Sequence, residues 1–156
     1  MSYPAIGQPA PDFELPDQNG EMVKLSSFKG KNVVLYFYPK ALTPGCTLQA
    51  CGIRDSKGEL DERDAVVLGI SPDAVRRLPK FIEKENLNFT LLSDEDHAVA
   101  ERYGVWGMKK FMGREFMGLI RTTFIIGKSG HLLGIMDKFK TKTHHEDLVA
   151  TLDKLL

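Results

Sequence analysis

The two cysteines of this chain, Cys46 and Cys51, lie close together in YFYPKALTPGCTLQACGIRD, residues 36–55. Thr43 and Pro44 precede them, and this pair predicts a helix start, because Thr is a favourable N-cap and Pro fits the first helical position. Cys46 would then be the third helical residue, where the positive end of the helix dipole and the unpaired N–H groups favour a thiolate. Since the thiolate is the reactive form of cysteine, Cys46 is a candidate nucleophile.

The spacing of the two cysteines bears on whether they can form a disulfide. Five residues along an ideal α-helix give a rise of about 7.5 Å and a rotation of about 140°, which places the Cα atoms roughly 8–9 Å apart. A disulfide needs Cα atoms within about 7 Å of each other. If both residues are helical when reduced, a Cys46–Cys51 disulfide would require the helix start to unwind, and the pair would act as a local switch.

Two cysteines among 156 residues do not make a disulfide scaffold. The N-terminus has no basic start and no apolar core, so we expect no signal peptide and a cytoplasmic location. A close pair in that setting indicates redox chemistry or a metal site, and one buried Cys with an incidental neighbour is the structural alternative. We predict no metal, because the adjacent His144 and His145 would point in different directions on a helix and lack the spacing of zinc ligands.

Composition sets broad limits on the function. Lys and Arg number 21, as do Asp and Glu, so the formal net charge is zero. This balance disfavours bulk electrostatic binding to nucleic acid or to an anionic membrane surface. No apolar run reaches the ~18–20 residues of a membrane span. The length and the 42% hydrophobic content predict one domain with a real core, residues 1–156.

The elements around the cysteines alternate along the chain. A turn at residues 17–20 predicts a short N-terminal hairpin. Apolar runs then predict strands, and the segments between them predict helices that would complete βαβ units. This order predicts a thioredoxin-like three-layer α/β/α sandwich with an N-terminal β-hairpin extension. The expected strands cover residues 32–38, 65–70, 89–92, 120–126 and 131–136, and the expected helices 44–62, 74–85, 94–103 and a C-terminal helix from Thr143.

Three local features of the sequence carry predictions of their own. Residues 105–118, rich in Gly, Met and Lys, predict an irregular connection: either a surface excursion anchored by aromatic residues such as Trp106, or a flap bordering the active site. Pro79 should kink its helix or mark a late start. Thr143 and Glu146 fit a capping box at the last helix.

The segment from Pro39 to Cys46, PKALTPGC, matches the Pro-x-x-x-Thr-x-x-Cys motif of peroxiredoxins. With Cys51 after four intervening residues, it closely resembles the bacterioferritin-comigratory (Q-type) peroxiredoxins. The resemblance extends along nearly the whole chain, through APDFELPD, NFTLLSDEDH and GVWG.

This resemblance implies a thiol-dependent peroxidase that reduces hydrogen peroxide and alkyl hydroperoxides in antioxidant defence. The cysteine matching Cys46 is peroxidatic and becomes a sulfenic acid. The cysteine matching Cys51 resolves it to an intramolecular disulfide, which an exogenous dithiol, typically thioredoxin, reduces. No bound metal, haem or flavin is implied, and we expect a monomer.

The resemblance also assigns three supporting residues. Thr43, whose hydroxyl can both donate and accept, would take part in donating to the leaving oxygen and in fixing the line of attack, and its alternative is a plain N-cap. Pro39 would shield the thiolate, and its alternative is a strand terminator. Arg121 would lie beside the peroxidatic cysteine and stabilise the thiolate and the developing charge with fixed donors, whereas an Arg at a strand edge is otherwise often solvent-facing.

The residues alone leave two other functions as alternatives. A disulfide reductase on a thioredoxin-like fold usually has two residues between its cysteines, so the four found here count against it. A redox-sensing module, in which the disulfide alters a binding surface, is an alternative or an additional role. Some relatives carry a further cysteine in the helix at 96–103, but this chain has Ala100 there and no third thiol.

Overall fold

The structure is a computed structural model that describes residues 2–156. In chain order its strands are β1 (Glu14–Pro16), β2 (Met22–Lys24), β3 (Asn32–Phe37), β4 (Ala65–Ser71), β5 (Thr90–Ser93), β6 (Trp106–Phe111), β7 (Arg114–Leu119), β8 (Thr122–Ile126) and β9 (Leu132–Met136). Its α-helices are α1 (Pro44–Asp55), α2 (Lys57–Glu62), α3 (Leu78–Glu85), α4 (Ala98–Arg102) and α5 (His144–Leu155). Two short 3₁₀ segments cover Leu25–Phe28 and Val75–Arg77.

The central sheet has five strands in the order β5-β4-β3-β8-β9. β3, β4 and β5 are parallel, whereas β8 is antiparallel to β3 and β9 is antiparallel to β8. β3 lies in the middle and all its residues are buried, as its continuous apolar run predicted. The predicted N-terminal hairpin is also present, as β1 paired with β2.

Alternation along β3 builds a core on each face of the sheet. Val34 and Tyr36 pack in a cluster with buried side chains of α1, α3 and α5. Val33, Leu35 and Phe37 pack in a second cluster with α4 and the N-terminal hairpin. Each fully buried apolar side chain stabilises the fold by roughly 1.5–3 kcal/mol. The predicted three-layer α/β/α sandwich is confirmed.

Several helix boundaries differ from the predicted ones. The helix after Cys46 divides at Ser56, whose hydroxyl donates to the Gly52 carbonyl at 2.9 Å and competes with the helical backbone. Pro79 lies in the first turn of α3, which therefore starts late, one of the two predicted outcomes. Thr143 does occupy the N-cap of α5, but its side chain makes no capping hydrogen bond, so the capping box was wrong.

The prediction of an irregular connection over residues 105–118 was wrong. These residues form an antiparallel hairpin, β6 paired with β7 from Trp106↔Leu119 to Phe111↔Arg114. Met112 and Gly113 form its two-residue turn, with φ of 51° and 80°. Positive φ at both turn residues is the geometry that suits tight hairpins. Met at the first of these positions gives no turn signal, and this concealed the hairpin in the sequence.

The lengths of the helices bear on membrane insertion. α1 and α5 have 12 residues each. Within residues 2–156, no helix combines the length and the apolar character needed to cross a bilayer.

Candidate active site

Cys46 lies where the sequence predicted, in the first turn of α1. The helix begins at Pro44 with Thr43 at the N-cap, so Cys46 is its third residue. Its side chain is only 1% exposed. The N–H groups of the first helical turn have no intrahelical partners, and the positive end of the helix dipole lies at this position.

Arg121 reaches the sulfur from the other side of the site. It directly precedes β8, and its Nη2 donates to Cys46 Sγ at 3.3 Å. Its Nη1 donates to Gln49 Oε1 at 2.6 Å, and Gln49 is buried one turn after Cys46. Because two partners hold the planar guanidinium, its donors are fixed in direction at the sulfur. The structure thus brings together the two residues that were predicted to form the centre of the site.

Thr43 and Pro39 lie on the loop that leads into α1. The Thr43 hydroxyl donates to the Lys40 carbonyl at 2.8 Å and makes no capping bond to the helix. Thr43 is therefore an N-cap by position, and its oxygen lone pairs stay available as acceptors. Pro39 is half-buried and follows Tyr38, whose N–H donates to the Ile70 carbonyl at 3.0 Å as the last sheet bond before the loop.

A buried carboxylate fixes this loop. Asp73 Oδ2 accepts from the Ala41 N–H at 2.7 Å and from the Ser71 hydroxyl at 2.8 Å. Arg77 Nε donates to the other carboxylate oxygen at 3.1 Å. The adjacent Leu42 has a φ of 67°, a conformation that is strained for a bulky residue. Asp73 therefore holds the turn in the form that presents Thr43 and the helix start.

Cys51 is a separate, half-buried thiol on α1, and neither cysteine is in a disulfide. Its Sγ lies 3.5 Å from Glu85 Oε2, to which the thiol donates. Burial raises the pKa of the Cys51 thiol, Arg54 lowers it, and the hydrogen bond and charge of Glu85 raise it further. Both cysteines are helical, as expected, so an intramolecular disulfide requires a rearrangement of α1.

The β6–β7 hairpin adds a cation at the border of the site. Burial and the charge of Arg121 lower the pKa of Lys109, whereas Cys46 raises it, so Lys109 lies close enough to feel both groups. Trp106, the first residue of β6, stacks face to face on His97, which precedes α4, with ring centroids 3.9 Å apart. The stacking of Trp106 agrees with the interpretation of a surface excursion anchored by aromatic residues. The charge effects of Arg121 and Cys46 on Lys109 favour the interpretation of a flap bordering the site.

A buried polar cluster shares the core around Cys46. Thr123 Oγ1 and His144 Nε2 are 2.9 Å apart, and the Tyr36 hydroxyl has no hydrogen-bond partner among the described residues. Burial raises the pKa of Tyr36 well above its ordinary value. Burial, followed by the charges of Arg121 and His145, lowers the pKa of His144 to about 3. These side chains are therefore neutral near pH 7.

The two adjacent histidines have different partners. His144 is buried against Thr123, whereas the ring of His145 packs against Gly52 of α1, where a Cβ would collide with it. In the part of the chain that the structure describes, no group of three His, Cys, Asp or Glu side chains is placed to hold a metal ion.

Four residues at or beside the site were not found from the sequence. In the sequence, Gln49 is an ordinary helix residue and Asp73 an ordinary loop residue. Lys109 lies in a segment that was predicted to be irregular. Glu85 is distant from Cys51 in sequence, and only the packing of α3 against α1 reveals its contact. A polar residue one turn after the cysteine was the one available signal, because i and i+3 residues share a helix face. These four residues are Gln49, Asp73, Glu85 and Lys109.

The chain is similar in sequence and in fold to known proteins of one family. Residues 6–134 match the AhpC/TSA family. A putative peroxiredoxin Bcp of Haemophilus influenzae is 58% identical over 155 residues, which cover 99% of this chain and 100% of that protein. The crystal structure of peroxidoxin BcpB from Mycobacterium tuberculosis matches with a TM-score of 0.85 and 38% identity, covering 100% of this chain and 99% of the other. The bacterioferritin comigratory protein of Xanthomonas campestris, described with an alkyl peroxide reduction activity, matches with a TM-score of 0.85 and 30% identity, covering 91% and 90% of the two chains.

Proposed function

The chain belongs to the AhpC/TSA family as a Bcp-type peroxiredoxin, a thiol-dependent peroxidase, and on this basis we propose that Cys46 is its peroxidatic residue. The observation that carries this proposal is the 3.3 Å contact between Arg121 Nη2 and the Cys46 sulfur in the first turn of a helix. Cys51 lacks such a setting, because its thiol faces the carboxylate of Glu85. The chain therefore has one cysteine in a cationic environment and one beside an anion.

The proposed first step is attack of the Cys46 thiolate on one peroxide oxygen. The S–O bond forms as the O–O bond breaks, the sulfur is oxidised to a sulfenic acid, and the other oxygen leaves as hydroxide or alkoxide and takes up a proton. Arg121 supplies fixed donors for the charge that develops on the two oxygens. The Thr43 hydroxyl helps to orient the peroxide, and Pro39 shields the thiolate from bulk water.

In the proposed second step Cys51 resolves the sulfenic acid. The Cys51 sulfur bonds to the Cys46 sulfur, the S–O bond breaks, and water leaves. Both cysteines lie on α1, so this step proceeds within one chain and needs local unwinding of the helix.

The substrates, reductant and setting complete the proposal. We propose hydrogen peroxide and alkyl hydroperoxides as substrates, since the relative from Xanthomonas campestris is described with an alkyl peroxide activity. A thioredoxin-like dithiol would reduce the disulfide by thiol exchange. We further propose a monomer that acts in antioxidant defence in the cytoplasm.

Rapid mixing of the reduced protein with one equivalent of hydrogen peroxide tests the proposal. We expect fast loss of two thiols per peroxide and a mass two hydrogens lower, because the product is one intramolecular disulfide. Cys46→Ser should lose all turnover. Cys51→Ser should keep the first oxidation and become easier to over-oxidise, since its sulfenic acid is not resolved. Turnover retained in Cys46→Ser would refute the assignment.

A further inference from the structure

We propose that Glu85 is a positioning residue for the resolving cysteine: its carboxylate holds Cys51 as an unreactive thiol against α3 and thereby sets how long the Cys46 sulfenic acid persists. This inference rests on the proposed function, in which Cys51 performs the second step. The observation that carries it is the contact of Cys51 Sγ with Glu85 Oε2 at 3.5 Å.

The contact belongs to a set of bonds that ties the second half of α1 to the end of α3. Arg54 Nη1 donates to the backbone carbonyl of Glu85 at 2.6 Å. Asn88 Nδ2 donates to the backbone carbonyl of Arg54 at 3.1 Å. Cys51 is therefore held on the α3 side of its helix, while Cys46 is held by Arg121 at the helix start. For the two sulfurs to meet, Cys51 must leave Glu85.

The charges around Cys51 show which neighbour opposes its ionisation. Arg54, on the same helix, favours the thiolate, whereas Glu85 of α3 and Asp55 of α1 oppose it, in addition to burial. From α5, His145 packs beside Gly52, and its charge lowers the pKa of Asp55. Glu85 is thus the anionic partner that α3 contributes. A thiol donating to a carboxylate is a poor nucleophile, because the thiolate is the species that attacks sulfur.

The resolving step balances without any further reactant. The Cys51 sulfur is oxidised and the sulfenic sulfur of Cys46 is reduced as the S–S bond forms. The proton of the thiol and the departing hydroxide combine as water. Glu85 is unchanged at the end, and its effect is to delay the moment at which the Cys51 proton is released. A longer-lived sulfenic acid has more opportunity to react with a second peroxide and become a sulfinic acid.

The first test measures the reactivity of Cys51 alone. In a Cys46→Ser background, alkylation of Cys51 by iodoacetamide is followed as a function of pH, with and without Glu85→Gln. We expect the profile to move to lower pH and the rate near neutral pH to rise roughly three- to tenfold, which corresponds to half to one pH unit. Glu83→Gln is the matched control, since Glu83 is an exposed carboxylate on the same helix, and it should leave the profile unchanged.

The second test follows the resolving step in the protein with both cysteines. After a single equivalent of hydrogen peroxide, disulfide formation should be roughly three- to tenfold faster in Glu85→Gln than in Glu83→Gln. Less sulfinic acid should accumulate at high peroxide. Glu85→Asp, which keeps the charge but shortens its reach, should give an intermediate shift and serves if the Gln variant folds poorly.

An unchanged alkylation profile in Glu85→Gln would overturn the inference. Slower disulfide formation would also overturn it, because it would mean that Glu85 activates Cys51 instead of restraining it. The alkylation test uses no peroxide, so its outcome is independent of the proposed function. If the unaltered protein failed to oxidise Cys46 rapidly, the proposed peroxidase site would fail on that ground alone.

Discussion

At the scale of single residues, the site depends on a pairing across the chain. Arg121 contacts Cys46 and Gln49, which precede it by 75 and 72 positions. The helix start at Thr43 and Pro44 could be predicted locally, because capping and the missing proline N–H act within one turn. The contact with Arg121 could not, since it depends on the pairing of β8 with β3. Its position was expected only from the family resemblance.

Replacing Arg121 tests the electrostatic part of the site. Arg121→Gln keeps a polar side chain but removes the charge and the two directed donors. Because hydrogen bonds to charged groups contribute about 1.5–3 kcal/mol, we expect the first oxidation of Cys46 to slow by roughly 10- to 100-fold. The measurement is the rate of thiol loss on rapid mixing with hydrogen peroxide.

Arg114→Gln serves as the control for Arg121→Gln. It removes the same charge from an exposed position on β7 and should leave the rate unaltered. Equal slowing in both variants would mean that net charge, and not the contact with the sulfur, governs the reaction. An unaltered rate in Arg121→Gln would remove Arg121 from the mechanism.

At the scale of elements, the first turn of α1 carries the proposed nucleophile, and its second half is held by hydrogen bonds to the end of α3. Cys46 is in its first turn and Cys51 in its second, and the helix ends at Asp55. The existence of α1 was predictable from its cap and its proline. Its end was not, because the break depends on the hydroxyl of Ser56 bonding back to Gly52. The β6–β7 hairpin was missed for a similar reason, since Met112 adopts a turn conformation that its side chain does not favour.

Formation of the disulfide should unwind α1. The two Cα atoms of an ideal helix at this spacing are roughly 8–9 Å apart, too far for a disulfide, so roughly one to two helical turns must open. We therefore expect peptides covering residues 44–55 to take up deuterium faster in the disulfide form than in the reduced form. Hydrogen exchange with mass spectrometry measures this difference.

Two comparisons isolate the effect of the bond. Peptides of α4, residues 98–102, pack through Val99 and Ala100 on the face of the sheet opposite α1 and should change far less. A Cys51→Ser variant oxidised with one equivalent of peroxide carries the sulfenic acid without the disulfide, and its α1 should stay protected. Equal exchange of α1 in the reduced and disulfide forms would show that the sulfurs meet without unwinding.

At the scale of the whole molecule, the architecture could be predicted from the pattern of apolar residues along the chain, whereas the polar environment of the site could not. The five strands of the central sheet are mostly apolar runs of four to seven residues, and their alternation with helices restricts the topology to a few right-handed arrangements. The buried polar groups were not predictable, since a histidine on a helix gives no sign of its depth. In the sequence His144 is one of two adjacent histidines on a predicted helix, with no sign of burial, and the structure buries it completely.

The burial of His144 predicts how the stability of the whole fold depends on pH. Its folded-state pKa is lowered to about 3, against an ordinary value of 6.5. Between these two values the unfolded chain binds a proton that the folded protein does not, so stability falls as the pH falls. The stabilisation that depends on uncharged His144 is fully present above about pH 6.5. We expect the free energy of unfolding to fall by about 1.4 kcal/mol by pH 5.5. Carboxylates with lowered pKa values, such as Asp12 and Asp64, change the stability of the fold only at a pH below this range.

Urea unfolding at pH 7.5 and 5.5 measures this dependence, and His144→Gln isolates its origin. Gln can still bond to Thr123 but cannot be protonated, so the variant should be less stable at pH 7.5 and should lose less stability on acidification. His131→Gln, a partly exposed residue that bonds Ser129, should keep the slope of the unaltered protein. If His144→Gln kept the full slope, the acid sensitivity would arise elsewhere. If it lost the slope, the polar cluster beside Cys46 would be a site where protonation and folding are coupled, and acid would weaken the core that supports the catalytic helix.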